Sequence, residues 1–224
     1  SVTNMRTGGH AAAGAKYLAR SDSEVVAIIG CGNEGRTHLR TLNVLFPIRE
    51  VVAFDIHQSA ASGFADEMSA ELGVSIEVTD SIESAVAGAD IVCVVTTAPM
   101  PVLMEDWVEP GTHVCAATGF RDVDKRCATR FDKWAVGWYG RDLEWIEGPE
   151  VGKLGGLQPG DLSKADIYAD ISTELMPGLR PGRERDEERT IMTHMGMPAL
   201  DAAVAALVYD LAIEADAGTW IRVF

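Results

Sequence analysis

Residues 25–55 read VVAIIGCGNEGRTHLRTLNVLFPIREVVAFD, and this stretch constrains the fold more than any other. An apolar run from Val25 to Ile29 meets Gly30, Gly32 and Gly35. An amphipathic segment follows over residues 36–45, and a second apolar run ends at Asp55. The order is strand, glycine turn, helix, strand, acid. Each residue type suits one task in holding a dinucleotide. Gly30 permits the tight turn, Gly32 lets backbone approach a pyrophosphate, and Gly35 lets the helix pack on the strand so that its free N–H groups face phosphate. Asp55 stands where it can accept hydrogen bonds from ribose hydroxyls. Ile56 and His57 follow it, so a 2′-phosphate would meet a carboxylate without an adjoining Arg or Lys, and NAD is expected rather than NADP. The competing reading is an ordinary glycine-rich turn, with Asp55 a strand-end carboxylate.

The rest of the chain repeats this alternation. Residues 10–18 read as an alanine-rich helix after a polar, glycine-containing lead. Residues 57–72 read as a helix, 74–78 as a short strand and 81–87 as another helical piece. IVCVVTT at 91–97 and THVCAATG at 112–119 read as strong strands, each launched by a glycine-containing turn. Strand and helix at this spacing predict an α/β fold, a Rossmann-type doubly wound parallel sheet with helices on both faces. Ligands sit beyond the carboxyl ends of such strands, which brings Thr96, Thr97 and Ala98 to the cofactor; the alternative is a capped strand end. Beyond Phe120 the pattern weakens. Residues 125–131 read as a short helix, 134–138 as a strand, the segment up to residue 160 as an irregular connection, and 166–176 as a helix. Residues 183–189, RERDEER, read as a solvated charged run, 190–193 as a short strand, and Pro198 as the start of a last helix stopped by Gly218. Leu200, Val204, Leu207, Val208 and Leu211 are expected to form a stripe on one side of it that packs against another part of the protein and is partly exposed in this chain. The five tryptophans are read as packing residues.

Composition narrows the partners. The 224 residues are 47% apolar and carry a net charge of −15, so a core is affordable while nucleic acid and anionic membrane surfaces are repelled. No apolar run is long enough to span a bilayer, and no stretch reads as a secretory leader. Cys31, Cys93, Cys115 and Cys127 have no CxxC spacing, and reduced, buried thiols in a cytoplasmic protein are expected.

With MRTGGHAAAGAKYLAR, IIGCGNEGRTHLRTL, AGADIVCVVTTAPMPV, EPGTHVCAATG, ELMPGLRPGR and MGMPALDAAVAALVYDLA in view, the chain resembles the ornithine cyclodeaminase and μ-crystallin family of NAD(P)-dependent enzymes. Relatives carry about a hundred further residues ahead of the arginine-threonine motif, enough for a small domain. The chain therefore resembles their C-terminal two-thirds, with residues 8–200 expected as the dinucleotide domain, and 1–7 and 201–224 as parts of a substrate and dimerisation domain. The resemblance implies a homodimer, a small amino acid or imine as substrate, and hydride transfer at the amino-bearing carbon.

It also implies roles. Arg6 would hold the substrate carboxylate, a task that suits a planar guanidinium, although by sequence alone it reads as a surface residue. Thr7, Gly30, Gly32, Asn33, Glu34, Gly35, Asp55 and Thr96 would lie at the cofactor. Relatives place a proton-exchanging carboxylate just after the strand that matches THVCAATG; here that position holds Phe120, flanked by Gly119 and Arg121. Asp122 is the nearest acid and the candidate catalytic residue, with a turn or helix-cap carboxylate as its other reading. Many relatives have a serine where this chain has His194, which is left between contacting the nicotinamide and packing. The competing class is a binding protein that keeps the dinucleotide fold without catalysis. A hydroxy acid dehydrogenase lacks support, since no Arg, Glu and His set stands at that class's intervals.

Overall fold

The β-branched residues of 25–29 form β1 (Val25–Ile29), an inner strand of an eight-stranded sheet in the computed structural model, which describes residues 1–153 and 155–221. β1 pairs in parallel with β2 (Glu50–Phe54) on one side and β4 (Ile91–Val94) on the other. β3 (Ser75–Val78), β5 (His113–Ala116), β6 (Lys133–Val136), β7 (Ala169–Asp170) and β8 (Thr190–Thr193) complete the order β3-β2-β1-β4-β5-β8-β6-β7, and every named pairing is parallel. The doubly wound sheet is as expected.

Successive strand residues face opposite sides, and the core divides accordingly. Ala27, Ile29, Val92, Val94, Val114 and Ala116 pack on one face with α4 (Ile82–Val86) and α5 (Arg126–Arg130). Val26, Ile28, Ile91, Cys93 and Cys115 pack on the other against α1 (Val2–Leu18), α2 (Asn33–Leu45) and α3 (Gln58–Leu72). All four cysteines are free and buried. No helix among the described residues is long and apolar enough to cross a membrane.

Four local readings are corrected. α1 begins at Val2, so Gly8 and Gly9 lie inside a helix. A Cβ on Gly8 would stand 2.8 Å from the Thr37 carbonyl carbon and oxygen, and Thr41 Oγ1 donates to Gly8 O at 2.9 Å. The glycine is there for close helix packing, which local propensity cannot show. The connection after β6 contains α6 (Tyr139–Ile146), and the helix read over 166–176 is a 3₁₀ turn, the short β7 and a π-helical turn at Ile171–Leu175. Lastly, α7 (Pro198–Glu214) has no buried residue: its apolar side chains lie all round, and among them Leu207, Val208 and Leu211 are exposed. α1 runs unbroken across the expected boundary at residue 7, and residues 222–224 of the expected terminal part lie outside the described residues.

Candidate functional site

From β1 the chain moves outward to β2 and β3, then returns to β4 on the opposite side of β1. Such a reversal opens a crevice at the carboxyl ends of the two strands. Here it is a cleft of about 370 Å³, lined by Gly30, Gly32, Asp55, Thr96, Thr97 and Ala98 among others.

Gly30 has φ +103°, and a Cβ there would stand 2.7 Å from the Val95 carbonyl oxygen. The turn can therefore nestle against β4 only with glycine. Gly32 caps α2 with open space around its Cα, and no side chain accepts from the first turn of that helix. Its leading N–H groups are free for an anion. A Cβ on Gly35 would collide with the Gly30 carbonyl oxygen, so Gly30 and Gly35 meet the packing demands read from their spacing. Asn33 is exposed. Glu34 is half-buried in the first turn with one oxygen unpartnered, and burial raises its pKa.

Asp55 directly follows β2 and turns back on the glycine loop. Its Oδ2 accepts from the Cys31 amide and its Oδ1 from the His57 amide, both at 2.9 Å. Each oxygen keeps acceptor capacity at the cleft wall. Arg36 donates to the Cys31 carbonyl at 2.5 Å and to Glu67 at 2.7 Å.

A second group of residues gathers where α1, β6 and β8 meet. Arg6 Nε donates to Asp201 Oδ1 at 3.1 Å, and among the described residues both terminal nitrogens of its fork remain for another acceptor. A Cβ on Gly196 would lie 3.2 Å from Arg6 Nη2, so the turn after β8 passes against the guanidinium. Thr7, buried, donates from its hydroxyl to Thr3 O at 2.7 Å. One helical turn after Arg6, the His10 ring lies 4.6 Å from the ring of His194. Burial, then the Arg6 charge, hold His10 down to about 4, against the opposing pull of Asp170. His194 is also held well below its usual value by burial, and both its ring nitrogens are unpartnered among the described residues. His194 thus packs against a second imidazole.

Asp122 is fully buried. Its carboxylate accepts from Thr96 Oγ1 at 2.8 Å and Thr118 Oγ1 at 2.6 Å, and its carbonyl accepts from the Val102 amide at 2.9 Å. It ties the loop after β4 to the loop after β5. Burial raises its pKa, against the pull of the two threonine hydroxyls.

Sequence reasoning missed His10, Arg121 and Asp142 as parts of this region. His10 was within reach, since it stands four residues after Arg6 on one helix face. Asp142 depends on β8 being inserted between β5 and β6, a long-range pairing, whereas Arg121 follows from β5 lying beside β4, which brings it to the Thr96 carbonyl.

The sheet order, the crevice at the reversal of strand order and the glycine turn define a Rossmann-type α/β domain. The chain belongs to the ornithine cyclodeaminase/mu-crystallin family, whose sequence profile matches residues 1–216. It is 34% identical over its whole length to an alanine dehydrogenase of Archaeoglobus fulgidus, covering 67% of that protein. Among solved structures it is similar to the Δ1-pyrroline-2-carboxylate reductase of Thermococcus litoralis in complex with NADH and L-proline. There the TM-score is 0.86, with 31% identity, 98% of this chain covered and 68% of the other. An archaeal alanine dehydrogenase dimer with bound NAD gives 0.84, 33%, 99% and 68%. The chain spans 65–67% of the length of the first curated relatives it matches.

Proposed function

We propose that this chain is the larger part of an NAD-dependent oxidoreductase that transfers a hydride at the amino-bearing carbon of an amino acid or of a cyclic or linear imine. The observation that carries this reading is the Asp55 carboxylate facing the glycine turn across the cleft wall, with the amide-rich start of α2 beside it. These residues fit a dinucleotide: Gly30 to Gly35 would receive the diphosphate, Asp55 the ribose, and Thr96 and Thr7 would lie towards the nicotinamide.

Bound nicotinamide supplies or accepts the hydride. The chain's own work is placement. The free fork of Arg6 grips the α-carboxylate and orients the substrate carbon. Oxidation removes a hydride from that carbon and a proton from its nitrogen, leaving an imine; reduction runs in reverse. Asp122, buried and joined to the Thr96 and Thr118 hydroxyls, manages the nitrogen's proton through them.

Residues 8–200 form the nucleotide domain on this reading, and residues 1–7 and 201–224 belong to a substrate and dimerisation domain. The bare apolar surface of α7 and the dimeric state of the archaeal alanine dehydrogenase support a homodimer. Four buried free thiols support a cytoplasmic location. The second reading, a nucleotide-binding protein without catalysis, draws on the lack of an acid at Phe120 and its neighbours. The test is NADH fluorescence on binding by the full-length protein, followed by absorbance on adding ornithine, proline, alanine or cyclic imines. Binding with turnover is expected; binding without turnover establishes the second reading.

A further inference from the structure

Arg121 is a cation with unused donors. Its Nη2 donates to the Thr96 carbonyl at 2.5 Å, while Nε is buried and unpartnered among the described residues. The nearest carboxylate oxygen, Asp122 Oδ2, lies 4.0 Å from Nη2 and already accepts from Thr96 Oγ1. A guanidinium has five N–H donors in a fixed fork, and taking one out of water calls for acceptors. The side chain is only 19% exposed.

The residue lines a cavity of about 30 Å³, separate from the nucleotide cleft, together with Thr118, Trp145, Thr193 and Met195. This space is too small for an amino acid and suits one terminal group of it. Trp145 Nε1 is a second buried donor without a partner among the described residues. Asp142 also lines the space, but its oxygens accept from the amides of Trp138 and Met195 at 2.7 Å each, and burial raises its pKa to about 7. Two donors of residues that line the space, Arg121 Nε and Trp145 Nε1, thus lack an acceptor among the described residues. Met195 leads into Gly196, which lies against Arg6, so two guanidinium groups attend the two ends of one short turn.

We propose that Arg121 is a specificity-determining residue that grips a second acidic group, so that the substrate is an amino dicarboxylic acid or the imine of one. The inference rests on the reading above, in which Arg6 takes the α-carboxylate. Arg6 and Arg121 then hold the two ends of the molecule, and the carbon that exchanges hydride lies between them.

The test titrates the NADH complex of the full-length protein with succinate and with butyrate, which match in chain length and differ by one carboxylate. Succinate is expected to bind at least tenfold more tightly. Arg121→Met should abolish that preference, and Arg121→Lys, which keeps the charge without the fork, should retain part of it. In turnover, the ratio of kcat/KM for oxaloacetate plus ammonia to that for pyruvate plus ammonia should fall at least tenfold in Arg121→Met. Equal binding of the two acids by the unaltered protein overturns the inference even if every variant misfolds. Discrimination without turnover supports the acid grip and refutes the proposed reaction; turnover without discrimination does the reverse.

Discussion

The amide of Cys31 donates to the carboxylate of Asp55 across 2.9 Å, so the glycine turn and the acid at the end of β2 hold one another in place. Replacing Asp55 with Ala removes this brace and the ribose acceptor together. A charge-assisted hydrogen bond contributes about 1.5–3 kcal/mol, so NAD affinity should fall about 10- to 100-fold. The pair Asp55→Ser with Ile56→Arg, at a position that is 82% exposed, should shift preference towards NADP. Titration with both reduced nucleotides checks the two outcomes.

Gly8 and Gly9 make a contrast on one helix. Gly8→Val would drive carbon into the Thr37 carbonyl and part α1 from α2, costing about 1–3 kcal/mol and several degrees in Tm. Gly9 has nothing within 4 Å of a built Cβ, so Gly9→Ala should stabilise the fold by about 0.5–1 kcal/mol through the lower entropy of the unfolded chain, and raise Tm accordingly. Thermal unfolding of the two variants reads both signs.

His10 gives a pH dependence with a defined sign. Folding lowers its pKa from 6.5 to about 4, so between those values the unfolded chain binds more protons. Stability from this group is level above pH 6.5, falls as the pH drops towards 4, and is lost below that. His10→Leu cannot titrate. Its urea midpoint should therefore fall less than that of the unaltered protein between pH 7.5 and pH 4.5. An equal fall in both would remove His10 from the account.

Arg6→Lys keeps a charge and loses the fork. With Nε held by Asp201, the two terminal nitrogens are what a carboxylate would meet, and a lysine offers no bidentate match. The expected result is a rise in KM of about 10- to 100-fold for the amino acid or imine, from the loss of about 1.5–3 kcal/mol. Steady-state kinetics on the full-length protein measure it.

What could be read in the sequence follows the range of the interactions. Gly30, Gly35 and Asp55 lie within one strand-turn-helix-strand unit, and their jobs follow from spacing alone. α6 was missed although Tyr139, Leu143 and Ile146 recur at helical intervals, because Trp138 at its cap offers no side-chain hydrogen bond to mark the start. Gly8 looks like a helix breaker until Thr37 of another helix is beside it. The tilted contact of the His10 and His194 rings requires β8 and α1 to meet, a matter of topology. The stripe read on α7 departs for a different reason: its apolar residues surround the helix, and the described residues half-cover Leu200 and Val204 and fully bury none of them.

Because Gly8 presses α1 onto α2, the arginine two residues earlier is aimed by folding itself. Its bearing relative to the nucleotide helix is set before any substrate arrives, and a carboxylate that docks there finds little chain freedom left to freeze.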